Sequence, residues 1–291
     1  MANRRVLVKR RKSVQNIRKI TRTMQLIATA RFQAAHQRAV ATKPYSEKLA
    51  ELVADLSRAA GATDHPLLRG AREGAGERSA LVVITSNRGL CGGYNANVLR
   101  AAVEHLESSS APVDVHMVGK KGASYFRFLG REVAARTTDV DDKPRFDQVE
   151  PIANALIERF EAGAIDAVNV AYMKFYSTSR QRPEVVRLLP LSATVAEAVA
   201  APARTVDYEF SPDPKTLLDA LLPASVRMRL FQCFTDATVS EQVSRMVAMK
   251  AATDAAGDMI KNLTRQYNRA RQTHITMELL DIVGGANAIA S

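Results

Sequence analysis

Residues 224–283 run for 60 residues with no proline and one glycine, Gly257. At ~1.5 Å of rise per residue, a continuous helix of that length extends about 90 Å, beyond the width of an ordinary domain. Its apolar residues recur at steps of three and four, through Val226, Leu230, Cys233 and Ala237, then Ala252, Ala256, Met259, Leu263, Tyr267 and Ala270. A stripe of this kind needs a partner helix along most of its length.

The partner lies at the other terminus. Over residues 9–57, Val14, Ile17, Ile20, Met24, Ile27, Ala28, Ala34, Ala35, Tyr45, Leu49, Leu52 and Leu56 form a second stripe at helical spacing. Arg31 and Arg38 interrupt it where a heptad calls for apolar residues. Pro44 is the one breaker, and since the stripe resumes at Tyr45 it is expected to bend the helix without ending it. The charge is polarised. Residues 1–46 hold 12 Lys or Arg and no acid, leaving 29 basic and 30 acidic residues in the remainder. The whole excess of +11 therefore sits on one terminal segment, which points to a specific acidic partner.

Between the helices the pattern changes. Residues 58–78 are glycine- and proline-punctuated and read as a linker. Strand-length apolar runs follow at 80–86, 113–119, 164–175 and 183–190, separated by helical stretches at 95–106, 121–129 and 147–161. This alternation predicts an α/β domain with a mainly parallel sheet. The expected order is an N-terminal coiled-coil helix (1–57), a linker (58–78), the α/β domain (79–191), a connector (192–223) and a C-terminal coiled-coil helix (224–291). An α/β domain inserted between two terminal helices returns the chain near its departure point, so the helices are expected to pair antiparallel.

A hydrophobic content of 46 % excludes general disorder. No apolar run is long enough for a signal sequence or a membrane span. Cys91 and Cys233, far apart in sequence, read as free thiols of a reducing compartment.

Chemical motifs are weak. The segment GLCGG at 89–93 sits between strand and helix, where phosphate loops lie, but it matches neither G-x-G-x-x-G nor G-x-x-x-x-G-K-[ST]. A tight turn explains it better. Cys91 paired with His116 would need an orienting acid that the pattern lacks, and five His with two Cys offer no metal-ligand spacing. No catalytic residue, cofactor site or metal site is expected. The basic N-terminal helix invites a nucleic-acid reading, yet its apolar stripe and its few aromatics, Phe32 and Tyr45, are unlike a base-stacking surface.

The most specific sequence is SEQVSRMVAMKAAT at 240–253 with NRARQTHITMELLDI at 268–282, joined by ITRTM at 20–24 and SNRGLCG at 86–92. These segments, in this order, resemble the gamma subunit of the rotary, proton-translocating ATP synthase. The resemblance implies an antiparallel coiled coil carrying an inserted Rossmann-like α/β domain. It further implies one copy per complex, held within a ring of alpha and beta subunits and resting with the epsilon subunit on the membrane c-subunit ring. The family's chemistry resides in beta subunits, and this chain would couple rotation to it.

By the same resemblance, Arg271, Gln272 and Thr276 would grip a beta-subunit loop. Met24, Glu241 and Arg245 fall at positions that matter for coupling, and Arg88 and Cys91 would lie near an acidic beta-subunit lever. Tyr208 and Glu209 would face the membrane ring and epsilon. Asn87 stands where the family usually has Asp. The cysteine-bearing insertion of redox-switched forms is missing, so thiol control is not expected. With no transit peptide evident, the expected location is peripheral, on the cytoplasmic side of a bacterial inner membrane.

Overall fold

A computed structural model describes residues 4–59, 65–68, 78–191 and 213–290. The chain divides into two compact units, Ala30–Ser244 and the pair of segments Met1–Thr29 with Arg245–Ser291.

The larger unit is built on a five-stranded sheet of β1 (Ser79–Ile84), β2 (Val113–Val118), β3 (Ala135–Thr137), β4 (Ala167–Ser177) and β5 (Arg180–Leu189), in the order β3-β2-β1-β4-β5. The first four strands pair in parallel and β5 closes the sheet antiparallel to β4. Helices α2 (Tyr94–Ser108), α3 (Lys120–Phe128) and α4 (Phe146–Glu161) make the crossovers. This is the doubly wound, Rossmann-like order expected of alternating strands and helices.

Alternation on β1 divides the core. Ala80, Val82 and Ile84 join Val149, Ile152 and Leu156 of α4, while Leu81 and Val83 join Val98 and Ala102 of α2 and Phe126 of α3. Both faces are covered, which is why β1 reads as a continuous apolar run. The short strand β3 was not foreseen, because three residues with little burial leave no apolar pattern. At the other edge, Arg180, Arg182 and Arg187 with Pro183 mark β5.

The C-terminal helix is longer than expected. α1 spans Arg4–Ala59 and continues through Pro44. α5 spans Pro214–Ala290 and continues through Pro223, so residues 214–223, expected as connector, are helix. Two features account for this. The Asp213 carboxylate caps the start, accepting from the Thr216 N–H (3.2 Å) and hydroxyl (2.7 Å), and these bonds hold its pKa below the ordinary value. Leu218, Leu222, Val226 and Leu230 are then fully buried against the α/β core. Each contributes about 1.5–3 kcal/mol, which outweighs the ~3 kcal/mol cost of an interior proline.

The smaller unit is an antiparallel helix pair. Thr253 donates a hydroxyl bond to Thr21 (2.8 Å), and the Arg11 guanidinium lies over the Tyr267 ring (5.3 Å to the centroid). Along α1 the seam falls on Leu7, Val14, Thr21 and Ala28, one residue per heptad, and along α5 on Met249, Thr253, Ala256, Ile260, Leu263, Tyr267 and Ala270. The sequence stripe is corrected here. Ile17, Ile20, Ile27 and Met259 are exposed, Ile20 by 59 %, and on α1 the contact falls instead on the smaller Thr21 and Ala28. A heptad seam admits only one narrow face, and helices brought close by Ala and Thr leave bulky neighbours outside it.

Candidate functional site

The strand order reverses around β1 and β4, and in open α/β sheets ligands bind at the carboxyl ends of the strands at such a point. Beside it, at the carboxyl ends of β1 and β2, the chain fills its own groove. The Thr85 hydroxyl donates to the Val118 carbonyl (2.7 Å) and accepts from the Gly122 N–H (3.0 Å). Gly119, at φ +92, has Thr85 O within 2.2 Å of where a Cβ would stand. The first N–H groups of α3 are spent on the chain itself: Lys120 on Asn87 Oδ1, Lys121 on Ser86 O, Gly122 on Thr85 Oγ1 and Ala123 on Gly119 O. None of these four backbone N–H groups is left to cradle a phosphate.

The segment at 86–93 is a rigid turn. The Ser86 N–H donates to Asn95 Oδ1 (3.0 Å), while the Asn95 amide donates to Ser86 Oγ (2.8 Å) and Cys91 Sγ (3.3 Å). Tyr94 N–H closes on Cys91 O (3.2 Å). Cys91 is buried inside this network. His116 bonds Thr137 Oγ1 instead (2.8 Å), and burial, then Arg159, lowers its pKa. The two residues that sequence offered as a catalytic pair thus have separate partners.

Asn87 reaches outward from the turn. Its amide donates to Val140 O (2.9 Å) and its carbonyl accepts from Lys120 N–H (3.1 Å). That clip needs a donor and an acceptor on one side chain, which an ionised aspartate lacks. It fixes the loop bearing Asp142, which ion-pairs with Arg31 of α1 and lies 3.7 Å from Arg88. Arg31, the residue that broke the heptad, is therefore committed to this loop. Arg31, Arg38, Arg88, Lys143 and Arg145 line a cleft of about 720 Å³ with Asp141 and Asp142. Five cations against two carboxylates suit an acidic partner.

The remaining expected residues are distributed along the helices. Glu241 is buried beside Asn87, Asp141, Phe234 and Ala237. Arg245 is buried one turn further along α5, and Met24 is half-buried on α1. Arg271, Gln272 and Thr276 are fully on the surface, with the Thr276 hydroxyl donating to Gln272 O (3.1 Å). Tyr208 and Glu209 lie outside the described residues. Sequence reasoning missed Leu90, an exposed leucine with φ 64 in the turn, although leucine between two glycine-rich halves was a visible anomaly. Among the described residues no group of three or more His, Cys, Asp or Glu is arranged to hold a metal, and no helix is long and apolar enough to cross a membrane.

Comparison with known proteins accounts for the arrangement. An ATP synthase family model matches residues 3–289. The chain is 47 % identical over 296 residues to an ATP synthase gamma chain of Rhodopirellula baltica, covering 99 % of each. It is 42 % identical to that of Leptospira biflexa over the full length of both. Its fold is similar to a chain in the OSCP/F1/c-ring structure of the Euglena gracilis mitochondrial ATP synthase, with a TM-score of 0.67, 17 % identity, and 98 % and 94 % of the two chains covered. With a family model matching residues 3–289 and full-length identities of 47 % and 42 %, the chain belongs to the ATP synthase gamma chain family.

Proposed function

We propose that this chain is the central rotating shaft of a proton-translocating ATP synthase. It couples rotation of the membrane c-subunit ring to sequential conformational change at the beta-subunit catalytic sites. It carries no catalytic site of its own and binds no cofactor. One copy works with the alpha and beta subunits of the catalytic head, the epsilon subunit and the c-ring, peripheral on the cytoplasmic side of a bacterial inner membrane.

The observation that carries this reading is the pairing of full-length family identity with an unfinished helical surface. Ile17, Ile20, Ile27, Ile275, Met277, Leu279 and Leu280 are exposed on the two helices of the smaller unit. A free chain gains nothing from such residues, whereas a surrounding protein sleeve does. Arg271, Gln272 and Thr276 then supply polar contacts to a beta-subunit loop. Met24, Glu241, Arg245, Arg88 and Cys91 serve or support contacts lower on the head, and Tyr208 and Glu209 face the ring and epsilon.

Two measurements test it. Tagged chain expressed in its own cell is expected to purify with alpha and beta subunits; recovery with nucleic acid and without them would sink the assignment. Met24→Lys adds a cation to a basic helix beside an acidic lever. It is expected to lower proton pumping several-fold while ATP hydrolysis falls much less. Pumping that stayed proportional to hydrolysis would count against the role given to Met24.

A further inference from the structure

Leu90 is the one non-glycine among the described residues with a positive φ, at 64. The left-handed region crowds the Cβ of an L-residue, and leucine has no polar group with which to compensate locally. The strain persists because the turn is fixed on both sides by the bonds among Ser86, Asn95, Cys91 and Tyr94. Glycine or asparagine would adopt the same backbone with less strain. Nor does the side chain recover the loss by packing, since Leu90 is 60 % exposed while its neighbour Cys91 is buried. A residue that is both strained and solvated stabilises nothing within this chain.

We propose that Leu90 is an apolar contact residue, seated in a hydrophobic recess of a beta subunit whose adjoining surface is acidic. This rests on the reading that the turn at 88–91 meets an acidic lever of a beta subunit, and it adds the residue that makes the contact and the apolar recess that receives it. Charge complementarity selects the partner. Arg88 projects from the same turn, and Arg38 and Lys143 line the adjacent cleft, so a recess next to Leu90 is bordered by carboxylates. The rigid turn also presents the side chain without an ordering cost at the moment of contact.

Thiol labelling tests this on the full chain, free and reconstituted with its alpha, beta and epsilon subunits. The native cysteines are both buried, so Leu90→Cys and Arg88→Cys each add one reactive thiol. With maleimide uptake followed by mass spectrometry of this chain, assembly is expected to slow labelling at 90 by roughly tenfold, as at a water-excluded contact. Protection at 88 with none at 90 overturns the Leu90 contact and leaves the turn's reading intact; no protection at either position overturns the reading itself. A second variant probes the strain. Leu90→Gly is expected to raise the melting midpoint of the free chain by about 2 °C while reducing coupled proton transport several-fold in the complex. A variant that couples as well as the parent, or whose midpoint does not rise, overturns the proposal.

Discussion

The α/β unit and the helix pair solve the problem of burial in opposite ways. In the first, Leu81, Val82, Val83, Met117, Leu188 and Leu189 are almost wholly buried, and both faces of the sheet are covered. In the second, the seam carries Thr21, Ala28, Thr253 and Ala256, while isoleucines of the same helices face outward. The α/β unit buries its large apolar residues in a two-sided core, whereas the helix pair buries Leu7, Met249 and Leu263 on one narrow seam and leaves Ile17, Ile20 and Ile27 outside it. Stability and function are thus drawn from different residues in the two units, and substitutions are expected to separate them.

The largest contrast is in core truncation. Leu188→Ala is expected to cost about 2–5 kcal/mol in denaturant unfolding of the full chain. Leu263→Ala, on a seam open to solvent on its flanks, is expected to cost less than half as much. Equal costs would break the comparison.

A mid-sized effect involves Asp236, on α5 within the α/β unit. Burial raises its pKa from 3.8 to about 6, with Glu184 adding to the rise and Lys174 and Lys43 opposing it. A folded pKa above the unfolded one means that the native state binds more protons between pH 4 and 6. Stability therefore falls as pH rises through that window and is level above it. Asp236→Asn is expected to flatten that slope and to stabilise the chain at pH 7 by about 1–3 kcal/mol. An unchanged pH profile would show that another group is responsible.

The smallest effect belongs to the helix pair. Thr21→Val or Thr253→Val leaves one buried hydroxyl without its 2.8 Å partner across the seam. Each is expected to cost about 1 kcal/mol, and the double variant less than the sum. Additive losses would mean that the two hydroxyls do not act as a pair.

Sequence periodicity made the elements legible wherever burial is two-sided or sustained. β1, β2 and β4 and the packed stretches of the two long helices fall in this class, and β5 joins them only at its buried end, Leu188 and Leu189. It failed at β3, three residues held largely by pairing with β2, and at the start of α5, where tertiary burial overrides Pro223. It also misplaced the seam, because Ile and Ala both read as apolar and only the packing distance chooses between them. For the site, Arg31 and the glycine-rich turn were visible as anomalies. The Asn87 clip was not, since its partners Val140 and Lys120 lie 53 and 33 residues away.

Among the described residues β5 is the antiparallel edge strand, and this bears on the chain's life before assembly. An open edge with free N–H and C=O groups invites a second copy to add a strand, the usual first step toward aggregates. Pro183 lacks the donor that such pairing requires, and Arg180, Arg182 and Arg187 would set like charges against one another across any β5–β5 contact. A newly made chain with apolar helix surface exposed is thereby denied one route to self-association.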